Sequence, residues 1–379
     1  MVQLDDRPYA WAEVDTGAVE ANARYLADVA RPAALCAVVK AWGYGHGAVQ
    51  VAEAALHGGA KWLGVALVSE AAELRRHVDA PVLILAEPPH RQMGEVVRLD
   101  GVRPTLYSAE AIKAAIEAVR ARGGGAPLPV HLKVDTGMHR VGAAPEAAAH
   151  LAQLVADSDE LELEGLWTHL AVADEPDDGG YTAKQLECFE GVLASLHELG
   201  IRPPVVHAAN SAAALAHPEA RYDLVRCGIA IYGIAPAPGL VGTEPLSPAM
   251  ALKARVSFVK RVQAGERISY GLHHRFDTPS IVATVPIGYH DGVPRRLGLT
   301  GGEVLIGGRR RRIVGVVTMD QLMVDCGDDE SVRPFDEVVL FGAQGDDMIS
   351  AWEWAEKVDT IAYEIVCGIA VNRVPRRYL

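Results

Sequence analysis

Short apolar runs alternate with Ala-rich amphipathic stretches along the first 240 or so residues. The runs AALCAVV (33–39), WLGVA (62–66), VLIL (82–85), RPTL (103–106), VHLKVD (130–135), LEGLWTHL (163–170), VVHAAN (205–210) and LVRCGI (224–229) read as strands covered on both faces. Such strands lose the apolar–polar alternation of half-buried ones. Helical periodicity follows most of them, as in AVQVAEAALHGG, SEAAELRRHV and AEAIKAAIEAVRARGGG, the last ending in glycines as helix C-termini often do. Eight strand-then-helix units predict an α/β fold, a (β/α)8 TIM-type barrel over residues 1–240. An open doubly wound sheet also repeats βα units, but a count of eight favours closure.

The pattern changes after Pro236-Ala237-Pro238-Gly239. ARVSFVKRV, SIVATVPIGY, EVLIGG, RIVGVVTMDQLMVD and DEVVLFG are Val/Ile-rich with Gly-rich breaks and little helix. They predict a mostly antiparallel β domain over 241–379, with one short helix, ISAWEWAEKV, near its end. Arg309 to Arg312 lie between glycines and a Val/Ile stretch and read as a solvated hairpin rather than a polyanion site.

Composition narrows the function classes. The chain of 379 residues, 50% hydrophobic, has ample material for two cores. A net charge of −13 argues against a nucleic-acid scaffold. Five cysteines, at 36, 188, 227, 326 and 367, are odd in number and lack CxxC spacing, which suggests reduced thiols in the cytoplasm. The opening MVQLDDRPYAW carries acids where a secretory signal needs basic and apolar regions, and no apolar stretch approaches the ~20 residues of a membrane span. A cytoplasmic protein with no metal, membrane or nucleic-acid partner is expected.

In a barrel, functional groups gather at the C-terminal ends of the strands. Lys40 follows the first run, in AVVKAWGYGHG. It is either a lysine snorkelling from the rim or a Schiff-base lysine with a pKa depressed by desolvation. Tyr44 follows in the same Gly-rich loop. Lys133 sits inside the fifth run with Arg140 just beyond it, and an interior lysine needs a counter-charge, such as Asp135, or a modification. His169 ends the sixth run and is either structural or catalytic. Asn210 and Ser211 stand where the seventh strand meets a helix, as a plain N-cap or an anion site. Arg226 and Gly228 end the eighth, where barrels often bind phosphate.

At these residues the chain resembles the alanine racemase family. AVVKAWGYGHG resembles the family's cofactor-lysine signature, and KVDTGMHRVG, EGLWTHLAVAD, HAANSAA and RCGIAIYG follow in the family's order. The second domain adds ISYGLHH, PIGYHDGVPRR, VTMDQLMVD and DTIAYEIVCGIAVNRVPR, so the match spans nearly the whole chain. The resemblance implies an enzyme that interconverts L- and D-alanine, supplying D-alanine for cell-wall peptidoglycan. It implies pyridoxal 5'-phosphate as cofactor and a homodimer with shared sites. Lys40 would hold the cofactor as a Schiff base and serve as one base, with Tyr270 of the partner subunit as the other. Tyr44, Ser211, Gly228, Ile229 and Tyr363 would bind phosphate, supported by Asn210. Arg226 would hydrogen-bond the pyridine nitrogen, with His169 behind it. Arg140 and the partner's Met319 would hold the substrate carboxylate, and Tyr289 would line the access path. Lys133 matches a lysine that many members carry as a carbamate. Trp42 and Thr318 depart from the commoner pattern, which is small or polar at the first and often cysteine at the second. A broader-specificity or serine racemase, a decarboxylase of similar plan and a non-enzymatic cofactor-binding barrel are the other readings; the β domain and the ISYG and GYHDG segments weigh against the last two.

Overall fold

The computed structural model describes residues 9–379. They form two compact units, a barrel unit of Gly17–Gly43 with Ala48–Ser247, and a β unit made from the segment ending at Thr16, Tyr44–Gly47 and Pro248–Leu379.

The first strand, β1 (Ala10–Val14), belongs to the β unit. Eight parallel strands then build the barrel: β2 (Ala34–Val38), β3 (Trp62–Val65), β4 (Val82–Ile84), β5 (Val102–Leu106), β6 (Leu128–Lys133), β7 (Leu161–Trp167), β8 (Val205–His207) and β9 (Leu224–Cys227). All eight predicted strands are present. Neighbours pair in sequence from β2 to β8, and β9 pairs with β2, so that Cys36 lies opposite Arg226. The backbone N–H groups of Asp223 and Arg226 donate to the carbonyls of Val206 (2.9 Å) and Ala209 (3.0 Å), which closes the ring between β9 and β8. Leu35, Leu63, Leu132 and Leu166 are fully buried on the helix-facing side of the strands, and the residues that alternate with them line the barrel interior.

One layer of that interior is polar, and it forms a single directed chain. Arginine can only donate. Arg226 Nη1 therefore donates to His207 Nδ1 (2.9 Å), which leaves the proton of His207 on Nε2. That Nε2–H donates to His131 Nδ1 (2.9 Å), and His131 Nε2–H donates to the Glu164 carboxylate (3.2 Å). Arg103 Nε also donates to Glu164, at 3.1 Å. Both tautomers are thus dictated by the arginine at one end and the carboxylate at the other. Trp167 stacks on His207 with ring centroids 5.5 Å apart, and Trp62 meets His131 edge-on. Gly165 makes room for this layer, because a Cβ there would lie 2.3 Å from His131 Nδ1.

The β unit continues with β10 (Met250–Arg255), β11 (Phe258–Val262), β12 (Arg267–Ile268), β13 (His274–Arg275), β14 (Ser280–Val285), β15 (Glu303–Ile306), β16 (Arg309–Ile313), β17 (Leu322–Asp325), β18 (Glu337–Gln344), β19 (Asp347–Ile349) and β20 (Arg376–Tyr378). Its main sheet runs β11-β14-β17-β16-β15-β18-β10-β1-β20, with β19 on β18, and is antiparallel except where β20 meets β1. β12 and β13 form a separate hairpin.

One detail differs from the sequence reading. Residues 10–14, assigned by that reading to the barrel, pair with β10 and β20 instead. Within the stretch 312–325, Gly315 turns the backbone left-handed (φ 71°), and residues 314–321 form a loop between β16 and β17. The Arg309–Arg312 run is the expected hairpin arm. Its charges are paired, Arg310 with Glu303, Asp347 and Glu353, and Arg311 with Asp329.

The interior histidines predict the acid limit of the fold. Burial, with Arg226 nearby, holds His131, His169 and His207 below the ordinary histidine pKa. They hold the neutral form to lower pH in the folded chain than in the unfolded chain, which protonates them below about pH 6.5. Unfolding then takes up protons, so the histidine contribution is present above about pH 6.5 and is lost as the pH drops below it, by up to about 1.4 kcal/mol per pH unit per histidine. Denaturant midpoints measured from pH 7.5 to 5 should fall on acidification. A flat or rising midpoint over that range would refute the neutral interior layer.

Candidate active site

Lys40 lies two residues beyond β2 and opens an unusual turn. The backbone is left-handed at Ala41 (φ 52°), Trp42 (φ 55°), Gly43 (φ 63°) and Tyr44 (φ 49°). Three of these residues carry a Cβ, and each costs about 1–2 kcal/mol in that conformation. The turn is held where it begins. Ala41 N–H donates to Glu70 Oε1 (2.7 Å), whose other oxygen accepts from Ala66 and Leu67, and Gly43 N–H donates to the Val39 carbonyl (2.9 Å). The glycines of this loop announce a turn but not left-handed backbone at Ala41, Trp42 and Tyr44, and the support from Glu70 has no signal in the sequence.

Arg226, on β9, is 4% exposed. Besides His207, its guanidinium donates to the carbonyls of Thr168 (2.9 Å) and Ala208 (3.0 Å) and to His169 Nδ1 (3.3 Å), and it lies 4.5 Å from the Trp167 ring centroid. All of these partners are neutral. Burial brings its pKa down to about 10, so it remains a cation at neutral pH.

Lys133, at the end of β6, is 3% exposed, with Nζ 4.5 Å from the same Trp167 ring. Burial, followed by the repulsion of Arg226 and Arg140, lowers its pKa to about 8. Among the described residues no carboxylate lies within ion-pair distance of it. Asp135, the counter-ion the sequence offers, is turned to its own loop, accepting from the N–H groups of Gly137 and His139 at 3.0 Å each. Arg140 is exposed in the single chain. Lys40, Lys133, Arg140 and Arg226 all press on His169 and, with burial, hold it well below its ordinary pKa. The strand ends of the barrel unit therefore gather four cations around a neutral imidazole.

Asn210 caps the helix Ser211–Ala216, its Oδ1 accepting from Ala213 N–H (3.0 Å). The Ser211 hydroxyl is buried and accepts from Gly228 N–H (2.9 Å), which joins the ends of β8 and β9. The plain N-cap reading thus applies to Asn210, while Ser211 sits with the turn that Gly228 and Ile229 begin.

The remaining predicted residues lie in the β unit. Tyr44 is buried, and its ring is 6.3 Å from that of Tyr363, on the helix Ala362–Cys367. Burial pushes the Tyr44 phenol well above the usual range. Tyr270 occupies the tip of the β12–β13 hairpin and is 73% exposed. Tyr289 and Met319 are also exposed, and their loops are laced together. Tyr289 N–H donates to the Thr318 carbonyl (3.0 Å) and His290 N–H to that of Met319 (3.1 Å). Arg373 ties both loops, donating to Asp291 (2.6 Å) and to Asp320 (2.8 Å). Thr318 uses its hydroxyl on the Gln321 carbonyl (2.8 Å), a local turn bond.

Sequence reasoning passed over Trp167, His131, His207, Glu164 and Arg373. The two histidines stood inside apolar runs, where a polar residue signals a buried hydrogen bond. Arg373 lay in the basic C-terminal stretch NRVPRR without a distinguishing signal.

Comparison with known proteins matches this architecture throughout. The N-terminal domain of alanine racemase matches residues 14–236, and its C-terminal domain matches residues 249–378. The alanine racemase of Symbiobacterium thermophilum is 50% identical over 378 residues, covering 100% of this chain and 99% of that protein. That of Thermobifida fusca is 45% identical over 375 residues, covering 98% of each. Among solved structures, the alanine racemase from D-cycloserine-producing Streptomyces lavendulae superposes with a TM-score of 0.93 at 39% identity, over 99% of this chain and 98% of that one. Two domain matches, full-length relatives and a common structure lead to one assignment: this chain belongs to the alanine racemase family.

Proposed function

We propose that the chain interconverts L-alanine and D-alanine, with pyridoxal 5'-phosphate held covalently on Lys40, as a cytoplasmic homodimer that supplies D-alanine for peptidoglycan. The observation that carries this reading is Arg226, a buried guanidinium kept charged among neutral acceptors at the strand ends of a racemase-family barrel. The residues present suit the cofactor by the chemistry of their donors. Arg140 and Arg226, with Lys40 before it takes up the cofactor, make a cationic set suited to an anion. The Ser211 hydroxyl proton and the Ile229 N–H suit a phosphate, while the Gly228 N–H, given to the Ser211 oxygen, orients that hydroxyl. By resemblance, Tyr44, Asn210 and Tyr363 support that phosphate.

When bound, pyridoxal phosphate supplies an electron sink that acidifies the α-hydrogen of the amino acid. Lys40 takes or returns a proton on one face, and the partner subunit's Tyr270 does so on the other. Lysine is a cationic acid and tyrosine a neutral one, so each serves in both directions. Arg226 would donate a hydrogen bond to the pyridine nitrogen of the bound cofactor and keep its own proton, which would hold the sink weak and side reactions rare. His169 backs Arg226. Arg140 orients the partner subunit's Tyr270 and, with the partner subunit's Met319, holds the substrate carboxylate, while Tyr289 lines the access path. We also propose that Lys133 is carbamylated. Its lowered pKa leaves more of the nucleophilic neutral amine, and the modification would place an anion among Arg140 and Arg226 in a site without a carboxylate for Lys133.

Incubation with L-alanine, and separately with other L-amino acids, followed by chiral analysis of the product, tests the activity and its breadth. D-alanine should accumulate towards an equal mixture; an unchanged L-enantiomer would overturn the reading. Borohydride should fix the cofactor to the peptide containing Lys40, and fixation at Lys133 would refute that assignment.

Subunit mixing tests the shared site. Inactive Lys40→Ala and Tyr270→Phe subunits, allowed to exchange, should regain activity, because each heterodimer then has one doubly defective and one intact site. Proven heterodimers without activity would mean that both bases come from one chain.

A further inference from the structure

Tyr270 is 73% exposed, so side-chain packing within the chain does little to fix it. Its backbone is another matter. The residue before it, Ser269, has φ 65° and ψ 177°, a conformation open to glycine and strained for any residue with a Cβ. Gly271 (φ 75°) and Leu272 (φ 51°) continue the left-handed path. A glycine at 269 would adopt this backbone freely, yet a serine stands there.

The serine has a distinct engagement. Its hydroxyl donates to the Val316 carbonyl at 2.7 Å, in the loop that runs on to Met319. Its Cβ fits because residue 315 is glycine; a Cβ there would lie 2.5 Å from that of Ser269. The rest of the hairpin is fixed from below. Ile268 and Phe276 are buried with Val262, Val282 and Val314, Leu272 N–H donates to the Ser269 carbonyl (3.1 Å), and Arg267 donates to the Leu272 carbonyl (2.8 Å). The hairpin base is therefore anchored, and Ser269 ties its tip to the neighbouring loop.

We propose that Ser269 is a positioning residue for Tyr270: its strained backbone sets the direction of the tyrosine, and its hydroxyl locks that direction to the loop bearing Met319. The proposal rests on the reading of Tyr270 as a base. Strain next to a reacting group persists where the surroundings over-determine it, and its value lies in preorganisation. A serine retained only for structure would make the opposite demand, since relieving the strain would then cost nothing in turnover.

Ser269→Gly and Ser269→Ala separate the two. Glycine relieves the strain and removes the hydroxyl; alanine keeps the strain and removes the hydroxyl. For Ser269→Gly, the melting temperature of the cofactor-free protein should stay level or rise, while kcat of the holoenzyme falls about tenfold or more with KM for alanine little changed. Deuterium exchange at the α-carbon of L-alanine should fall in step with kcat, and that of D-alanine should persist. Ser269→Ala should lose a similar share of kcat and also melt lower. Full kcat in Ser269→Gly, or a melting temperature that falls along with kcat, would overturn the proposal. Tyr270→Phe is the control. If it racemises normally, the reading of Tyr270 as a base fails and takes this proposal with it; if it is inactive while Ser269→Gly is not, the proposal alone fails.

Discussion

A guanidinium that stays charged inside a barrel must be solvated by the barrel itself, and much of the barrel unit follows from meeting that demand. Removing an ion from water costs several kcal/mol even after relaxation. Arg226 recovers this from two carbonyls, two imidazoles and the face of Trp167, with no carboxylate among the described residues paired to it. The nearest anion in its hydrogen-bond chain is Glu164, two histidines away. A carboxylate in direct contact would neutralise the arginine locally and pull its donors inward. At two imidazoles' remove, the negative charge polarises the chain and leaves the cation unpaired at the strand ends. Gly165, the two tryptophans and the fixed tautomers serve that single arrangement, since moving His131 or reversing either imidazole would leave a buried donor facing a donor.

The barrel was legible because its physics is periodic. Strands buried on both faces must be mostly apolar, and the helices that cover them must be amphipathic, so eight runs and their helices stood out. The β unit was less legible for two reasons. Its sheet takes β1 from the opposite end of the chain, and no local pattern in AWAEV says which sheet will accept it. Hydrophobicity does not divide the stretch 312–325, and Gly315 lies in the loop that separates its two strands. A break at a left-handed glycine is a backbone event that hydrophobic periodicity does not record.

The candidate site was legible as residue types and not as geometry. Lys40, Lys133, His169, Ser211 and Arg226 could each be noticed because a polar residue beside a buried strand is uncommon. Their supports could not. Glu70 is an ordinary helix glutamate by sequence, yet it holds the first N–H of a left-handed turn. Asp135 is the obvious partner for Lys133 and is spent on its own loop. Ser269 is an unremarkable hairpin residue until its φ is known. In each case the sequence names an actor, and the fold decides which hydrogen bond it is free to make.

The charge of the whole chain and the charge of the site have opposite signs, and both follow from where the groups lie. The chain carries −13 overall, and its acids are mostly on solvated surfaces, where water and salt screen them. The cations at the barrel strand ends are few but less screened: Arg226 and Lys133 are buried, and burial first, then the repulsion of the neighbouring cations, lowers the pKa of both Lys133 and His169. Local burial rather than net charge therefore sets the field a ligand meets. That mutual repulsion is itself an anion's binding energy held in reserve. On the proposed reading, a group that brings negative charge among these cations relieves repulsion already present in the chain, even though the chain as a whole is negative.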